Sequence, residues 1–343
     1  MSVENLKIGI IGAGNMGRAH QRSVLNAGEC VVAVHDIRPQ AAQQMASERV
    51  GGESFPRFST PAATSNLETF FDRQLDGVIL TTPPPVRQEA IRLACERGVH
   101  LMVEKPPALT LAEGRTCLSH IENAGVISAV GFQLRYAPLY ERLKQLLADQ
   151  TIHLVRTVCT VDYYLTFRMA PWFLQNQISG GPIAEQAIHI LDCARFVMNC
   201  PKPVQAHALS IKNMAPERPE FDSANAIQMT YELDNGVFGV HTNHCGTERF
   251  SFELEVIGPH LRLQANVTHN RITGYLNGED WDEPAPTENS LGLDKIGAWL
   301  RAIKTGNRSF IRSDYSDALQ TLTLVEAAVR SQHTGQFVKV EEL

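Results

Sequence analysis

The run Gly12-Ala13-Gly14-Asn15-Met16-Gly17 limits what this chain can fold into more than any other stretch. It stands directly between a short apolar segment, 6–11, and a segment of helical periodicity, 16–27. In a strand-to-helix turn of the form G-x-G-x-x-G, the first glycine permits the tight turn. The second lets the backbone approach a pyrophosphate, the third lets helix and strand pack closely, and the helix N-terminus offers unpaired N–H groups to the phosphates. A glycine triplet can also be only a tight turn, so a second sign is needed. Asp36 supplies one: it ends a β-branched run, 30–36, and lies 24 residues beyond Gly12. That is where a dinucleotide fold places the carboxylate that accepts hydrogen bonds from the adenosine ribose. Ala13, Asn15 and Met16 complete the loop, and Ile37 adjoins the carboxylate. Asp36 repels a 2′-phosphate, which favours NAD over NADP, while Arg38 two residues on keeps NADP possible. A carboxylate that merely opens a turn before Pro39 is the plainer alternative.

The first part of the chain continues the alternation. Helical 39–48 is followed by a strand at 77–81, a helix over 86–97 opened by Pro85, a strand at 100–103, a helix over 111–124 with Thr110 and Glu113 in capping-box register, and a strand at 126–132. Short strands separated by helices require parallel pairing with helices on both faces. Residues 1–131 are therefore expected to form a Rossmann NAD-binding domain of the α/β class.

Beyond residue 131 the texture changes. After a helix over 138–148, β-branched and aromatic residues dominate 153–164, and strand candidates follow at 205–211, 226–232, 237–243, 250–257 and 261–265. Asp234-Asn235-Gly236 supplies a tight hairpin turn between two of them. Residues 132–343 are expected to form a second α/β domain with a large open, mostly antiparallel sheet for substrate binding and oligomerisation. Helices over 293–305 and 314–331 close the chain, and the second of them is expected to pack back on the first domain.

At 343 residues the chain has room for two cores. A net charge of −6 offers no basic footprint for nucleic acid or an anionic membrane, and no apolar run approaches the roughly 18 residues of a membrane span. Seven scattered cysteines without a C-x-x-C pair indicate neither a disulfide framework nor a zinc clip, and a cytoplasmic setting is expected.

Four features together resemble one family: Gly12 to Gly17, Thr81-Thr82-Pro83, Glu104-Lys105-Pro106, and Gly180-Gly181 followed by His189. The chain is similar over nearly its whole length to the Gfo/Idh/MocA oxidoreductases, which include inositol and glucose-fructose oxidoreductases. The resemblance implies a nicotinamide bound between a Rossmann domain and an open-sheet domain that often supports dimers or tetramers. It implies that Thr81, Thr82 and Pro83 lie along the cofactor, that Glu104 contacts the nicotinamide ribose, and that Lys105 sits at the reacting carbon. The residues agree in kind, since Thr82 and Lys105 fall just beyond the carboxyl ends of strands, where parallel sheets bind ligands. A solvated loop lysine is the plainer alternative for Lys105.

Glu185 and His189 stand four residues apart on the helix after Gly180-Gly181-Pro182 and share a face, with Asp192 further along. By the resemblance both point at the substrate hydroxyl, although the family usually has Asp where this chain has Glu185. A core histidine paired with Asp192 is the alternative for His189. Other departures are Pro84 and Arg87, where the family frequently has Asn and His, and Gln133, where an Asn is common; Arg135 matches the family. Arg168 and Trp172 are weaker substrate candidates, an arginine suiting the polar groups of a sugar and an aromatic face its apolar side. His241, His244 and Cys245 lack a fourth ligand at matching spacing, so no metal site is expected.

These residues point to an NAD-dependent oxidoreductase that moves a hydride to or from a carbon bearing oxygen on a sugar, inositol or related polyol. Lys105 and His189 would divide the proton work, with Glu185 beside them. Two other readings keep many of the same motifs: a glycosidase that uses NAD for transient oxidation, and a catalytically silent cofactor-binding regulator.

Overall fold

The computed structural model describes residues 5–48, 60–162, 171–212, 221–285 and 293–343. The chain divides into two compact units. The first takes in 1–108, 112–133 and 290–315, and the second 109–111, 134–289 and 316–343.

The first unit is built on six strands: β1 (Lys7–Ile11), β2 (Cys30–His35), β3 (Ala62–Thr64), β4 (Gly77–Leu80), β5 (His100–Val103) and β6 (Ser128–Val130). They pair in the order β3-β2-β1-β4-β5-β6, every pair parallel. This is the doubly wound Rossmann arrangement. Strand order reverses at β1, which opens a crevice at the carboxyl ends of β1 and β4 where such sheets bind ligands. The apolar runs read from the sequence fill the centre: Ile8, Ile10, Val31, Val34, Ile79 and Met102 share one core. β3 and the short helix Leu67–Phe71 were not anticipated, because Ala62-Ala63-Thr64 is too short and too small to show alternation. The helix expected from residue 86 begins at Gln88, after a 3-10 turn over Pro84–Val86.

The helix Leu293–Thr305 returns to this core. Ile296, Trp299 and Leu300 form its buried stripe and join the Rossmann core, while the final helix, Tyr315–Thr334, counts with the second unit from Ser316 onward. Trp299 anchors the helix Leu293–Thr305. It is fully buried, and the missing side chain at Gly77 makes room for it: a Cβ there would lie 2.7 Å from the indole.

The second unit carries β7 (Leu154–Asp162), β8 (Pro203–Ile211), β9 (Ala226–Leu233), β10 (Phe238–His244), β11 (Gly246–Gly258), β12 (Leu261–Asn266), β13 (Arg271–Leu276), β14 (Glu279–Pro284) and β15 (Val338–Lys339). Their order is β14-β13-β12-β11-β7-β10-β9-β8-β15, antiparallel throughout except for the β7–β10 pair. Helices Pro138–Leu146 and Ile188–Val197 pack on one face of this sheet. The opposite face exposes Leu154, Leu209, Ile211, Phe238 and Tyr275. Among the described residues no helix is long and apolar enough to cross a membrane.

Candidate active site

The glycine loop is shaped by close approach. A Cβ on Gly12 would meet the Thr81 hydroxyl at 2.5 Å, and one on Gly17 would meet the Gly12 carbonyl at 2.0 Å. Above Gly14, by contrast, the space is open within 4 Å. Helix Asn15–Asn26 starts with no side-chain cap and no acidic residue in its first turn, so its N–H groups face that space uncontested. Thr81 locks the loop from the β4 side: its hydroxyl donates to Gly12 O at 2.9 Å and its N–H to Ile11 O at 2.9 Å.

Asp36 bounds the other side. Oδ2 accepts the Ala13 N–H at 2.9 Å, while Oδ1 accepts the Arg38 N–H and Nε, each at 3.0 Å. Burial alone would raise the Asp36 carboxyl, but the bonds from Arg38 and Ala13 outweigh it and hold it below its ordinary value. Met16 and Ile37 are exposed at the rim, and Thr81, Thr82 and Pro83 are half-buried after β4. Thr82 Oγ1 is buried and has no partner among the described residues. An open cradle of N–H groups, a fixed carboxylate and an orphaned hydroxyl along one strand edge fit a dinucleotide.

Glu104 turns inward. Its Oε1 lies 2.7 Å from His20 Nε2 and 2.7 Å from Lys295 Nζ, and its Oε2 accepts the Lys105 N–H at 3.2 Å. Burial would raise this carboxyl, yet Lys295 and the His20 bond hold it well below the usual carboxylate range. Burial and the nearby Lys295 push His20 down, against the pull of Glu104. Gly131 leaves the room, since a Cβ there would lie 2.9 Å from the Glu104 carboxylate. In this structure the glutamate anchors the backbone of Lys105, and both of its oxygens are engaged by protein rather than turned to the ribose contact implied by the resemblance. Lys105 itself is half-buried.

In the second unit, Gly180 and Gly181 adopt left-handed backbone, with φ of 78° and 75°. At Gly181 a side chain would also collide with Asn176 Oδ1 at 2.8 Å. The chain then winds a turn of π-helix over Ile183–Ala187, which buries Glu185, and passes into helix Ile188–Val197. π-turns are rare and occur frequently at functional sites. His189 is buried, with its ring centroid 6.1 Å from that of Phe252 on β11. Asp192 is fully buried, but its carboxylate is engaged by Arg135 and Thr321.

The remaining candidates are less central. Gln133 is half-buried in the turn after β6, and Trp172 is half-buried against Phe173. Arg168 lies outside the described residues. His241 points into the sheet core with Nδ1 2.9 Å from Thr157 Oγ1, and His244 accepts the Gly246 N–H at 3.1 Å. Sequence reading missed His20 and Lys295. His20 lies three residues beyond Gly17 on the first helix, so its approach to the sheet was inferable, whereas Lys295 meets Glu104 across 191 positions with no local signal.

Comparison with known proteins finds matches along most of the chain. Residues 6–132 match the GFO_IDH_MocA family, described as an oxidoreductase family with an NAD-binding Rossmann fold, and residues 140–264 match the GFO/IDH/MocA C-terminal domain. Inositol 2-dehydrogenase of Rhizobium meliloti is 25% identical, covering 95% of this chain and 96% of that protein. 1,5-Anhydro-D-fructose reductase of Ensifer adhaerens is 28% identical, covering 97% and 98%. A levoglucosan dehydrogenase solved in complex with NADH and L-sorbose superposes with a TM-score of 0.83 at 18% identity, covering 98% of this chain and 99% of that one.

Proposed function

The chain belongs to the Gfo/Idh/MocA oxidoreductase family, and from that premise we propose that it oxidises a secondary alcohol on a cyclic sugar, inositol or related polyol, or reduces the corresponding ketone. The observation that carries the reading is the alignment of three elements along neighbouring strand ends: the glycine cradle after β1, Thr81–Pro83 after β4 and Lys105 after β5. NAD, when bound, accepts or supplies the hydride. The chain's own residues do the rest. The cradle and Asp36 hold the adenosine half, and Glu104 fixes the backbone from which Lys105 reaches out. Lys105 can hydrogen-bond the substrate oxygen and donate to it in the reducing direction, and His189 offers an imidazole for proton exchange. Glu185 orients the hydroxyl or the imidazole.

The named substrates of the relatives support the substrate class, because inositol and 1,5-anhydro-D-fructose are polyhydroxylated rings. The sheet face that exposes Leu154, Leu209, Ile211, Phe238 and Tyr275 supports assembly with a second copy as a homodimer or homotetramer. Sedimentation at micromolar concentration checks that, and a clean monomer would sink it. All seven cysteines are thiols, which supports a cytoplasmic setting. The deciding experiment incubates purified protein and NAD with a panel of inositols, aldoses, polyols and glycosides while NADH is followed. NADH formation with a ring polyol is expected. Sugar release without NADH accumulation would turn the reading to a redox-assisted glycosidase.

A further inference from the structure

Arg87 occupies the junction between the 3-10 turn Pro84–Val86 and helix Gln88–Glu96, and it is 3% exposed. A buried guanidinium is costly unless its donors are satisfied, and here they are spent on carbonyls. Nε and Nη2 donate to Thr82 O at 2.8 and 2.5 Å, and Nη1 donates to Pro106 O at 2.5 Å and also to Glu104 O. One side chain thus ties the loop after β4 to the loop after β5. Lys105 lies between the two carbonyls that share Nη1.

We propose that Arg87 is a positioning residue for hydride transfer, fixing the separation between the cofactor-side loop at Thr82 and the loop that presents Lys105. The proposal rests on the reading of Lys105 given above. Other bonds secure each loop to its own surroundings: Thr81 is bonded to Ile11 and Gly12, and Glu104 to His20 and Lys295. Arg87 bridges one loop to the other, and its planar fork reaches carbonyls of both at once, a geometry that a lysine ammonium on the same stem does not reproduce. This chain departs from the family's frequent histidine at the position, so the bridge is a property of its own residues.

The test compares Arg87→Ala, Arg87→Lys and Lys105→Met with the unmodified protein, using NAD and the polyol that the substrate panel identifies. Displacing a reacting group by about 1 Å costs on the order of 100-fold, so Arg87→Ala is expected to lower kcat by roughly 10- to 100-fold with a smaller change in KM. Methylguanidine should restore part of that loss in Arg87→Ala and none in Lys105→Met. Independently of activity, hydrogen exchange in the ligand-free protein should accelerate at the Lys105 amide while β1 and β4 stay protected. If Arg87→Ala does not fold, Arg87→Lys decides: it keeps the charge, lacks the fork and should still lose turnover. Wild-type turnover in both Arg87 variants would overturn the proposal, as would a loss matched by lost folded protein with Lys105 exchange unchanged. Full turnover in Lys105→Met would sink the reading of the site itself and the proposal with it. An inactive Lys105→Met beside active Arg87 variants would sink the proposal alone.

Discussion

Arg135 closes on Asp192 with two hydrogen bonds, Nε to Oδ2 at 2.7 Å and Nη2 to Oδ1 at 2.6 Å, and Thr321 adds a third donor to Oδ1 at 2.9 Å. Arg195 extends the cluster through Asp317, whose other oxygen meets Arg135 at 2.6 Å. This network takes the Asp192 carboxylate away from His189, three residues earlier on the same helix, and weakens the view of His189 as one half of a core pair.

The two residues should therefore fail in different ways. Asp192→Asn leaves Arg135 buried beside a weakened partner and is expected to cost about 3 kcal/mol, the lower part of the range for breaking a buried pair, because Asp317 remains. Turnover per folded molecule should change little. His189→Ala should cost less stability than Asp192→Asn, which breaks a buried ion pair, and lose roughly 10²- to 10⁴-fold in turnover. Urea titrations and steady-state rates on both variants decide it. A fully active His189→Ala would remove His189 from the chemistry.

Trp299 gives a stability test for the first unit. Truncating a fully buried tryptophan typically costs about 3–5 kcal/mol, and Trp299→Ala is expected to fall in that range. Gly77→Ala alone should also destabilise, since its new methyl would meet the indole at 2.7 Å. In the Trp299→Ala background the same methyl enters vacated space, so the double variant should be more stable than the sum of the singles implies. Additive losses in denaturant titrations would show that the two positions do not share that space.

The parts of the fold visible in the sequence are those whose reason is local. The glycine loop and Asp36 have fixed spacing because a single βαβ unit contains both, and the apolar runs of β1, β2, β4 and β5 are continuous because both faces of their sheet are covered. The hairpin between β13 and β14 carries a strong turn signal, Asn277-Gly278, and both residues have positive φ, 54° and 87°. The strand that follows, β14 (Glu279–Pro284), is acidic and largely exposed, so no apolar alternation marks it. At the site, Lys105 and His189 came from motifs, but Arg87 read only as a departure from one. Its role depends on where the carbonyls of residues 82, 104 and 106 converge, and Lys295 reaches Glu104 from the far end of the chain. No periodicity encodes either contact.

His241 makes the second unit sensitive to acid. Burial pushes its imidazole down to about 3 from an ordinary 6.5, and Nε2 has no partner among the described residues. A depressed histidine binds its proton more readily in the unfolded chain. Its contribution is present above about pH 6.5 and is lost as pH falls towards the folded value. Each pH unit in that window is worth about 1.4 kcal/mol, so the wild type should lose roughly 2–3 kcal/mol between pH 6.5 and 4.5 through this group. His241→Gln, compared at the same two pH values by urea denaturation, should show a loss smaller by that amount. Parallel losses would mean that His241 is protonated in the native state.

Cofactor choice turns on Asp36 and Arg38. The carboxylate is buried, is held below its ordinary value against the effect of burial, and already accepts the Ala13 N–H, so it faces the adenosine side as a fixed negative charge. The ribose hydroxyls of NAD can donate to it, whereas a 2′-phosphate would meet like charge. Arg38 is largely exposed, 68% at its side chain, and would have to leave Asp36 to pair with that phosphate. Tighter binding of NAD than NADP is therefore expected. Asp36→Ala should weaken NAD by about 10- to 100-fold, the worth of charge-assisted hydrogen bonds, and narrow or reverse the preference. Arg38→Ala should alter NAD affinity only a few-fold and weaken NADP further. Fluorescence titration of each variant with NADH and NADPH reads the outcome. Tighter binding of NADPH to the unmodified protein would show that Arg38 releases Asp36 when the phosphate arrives.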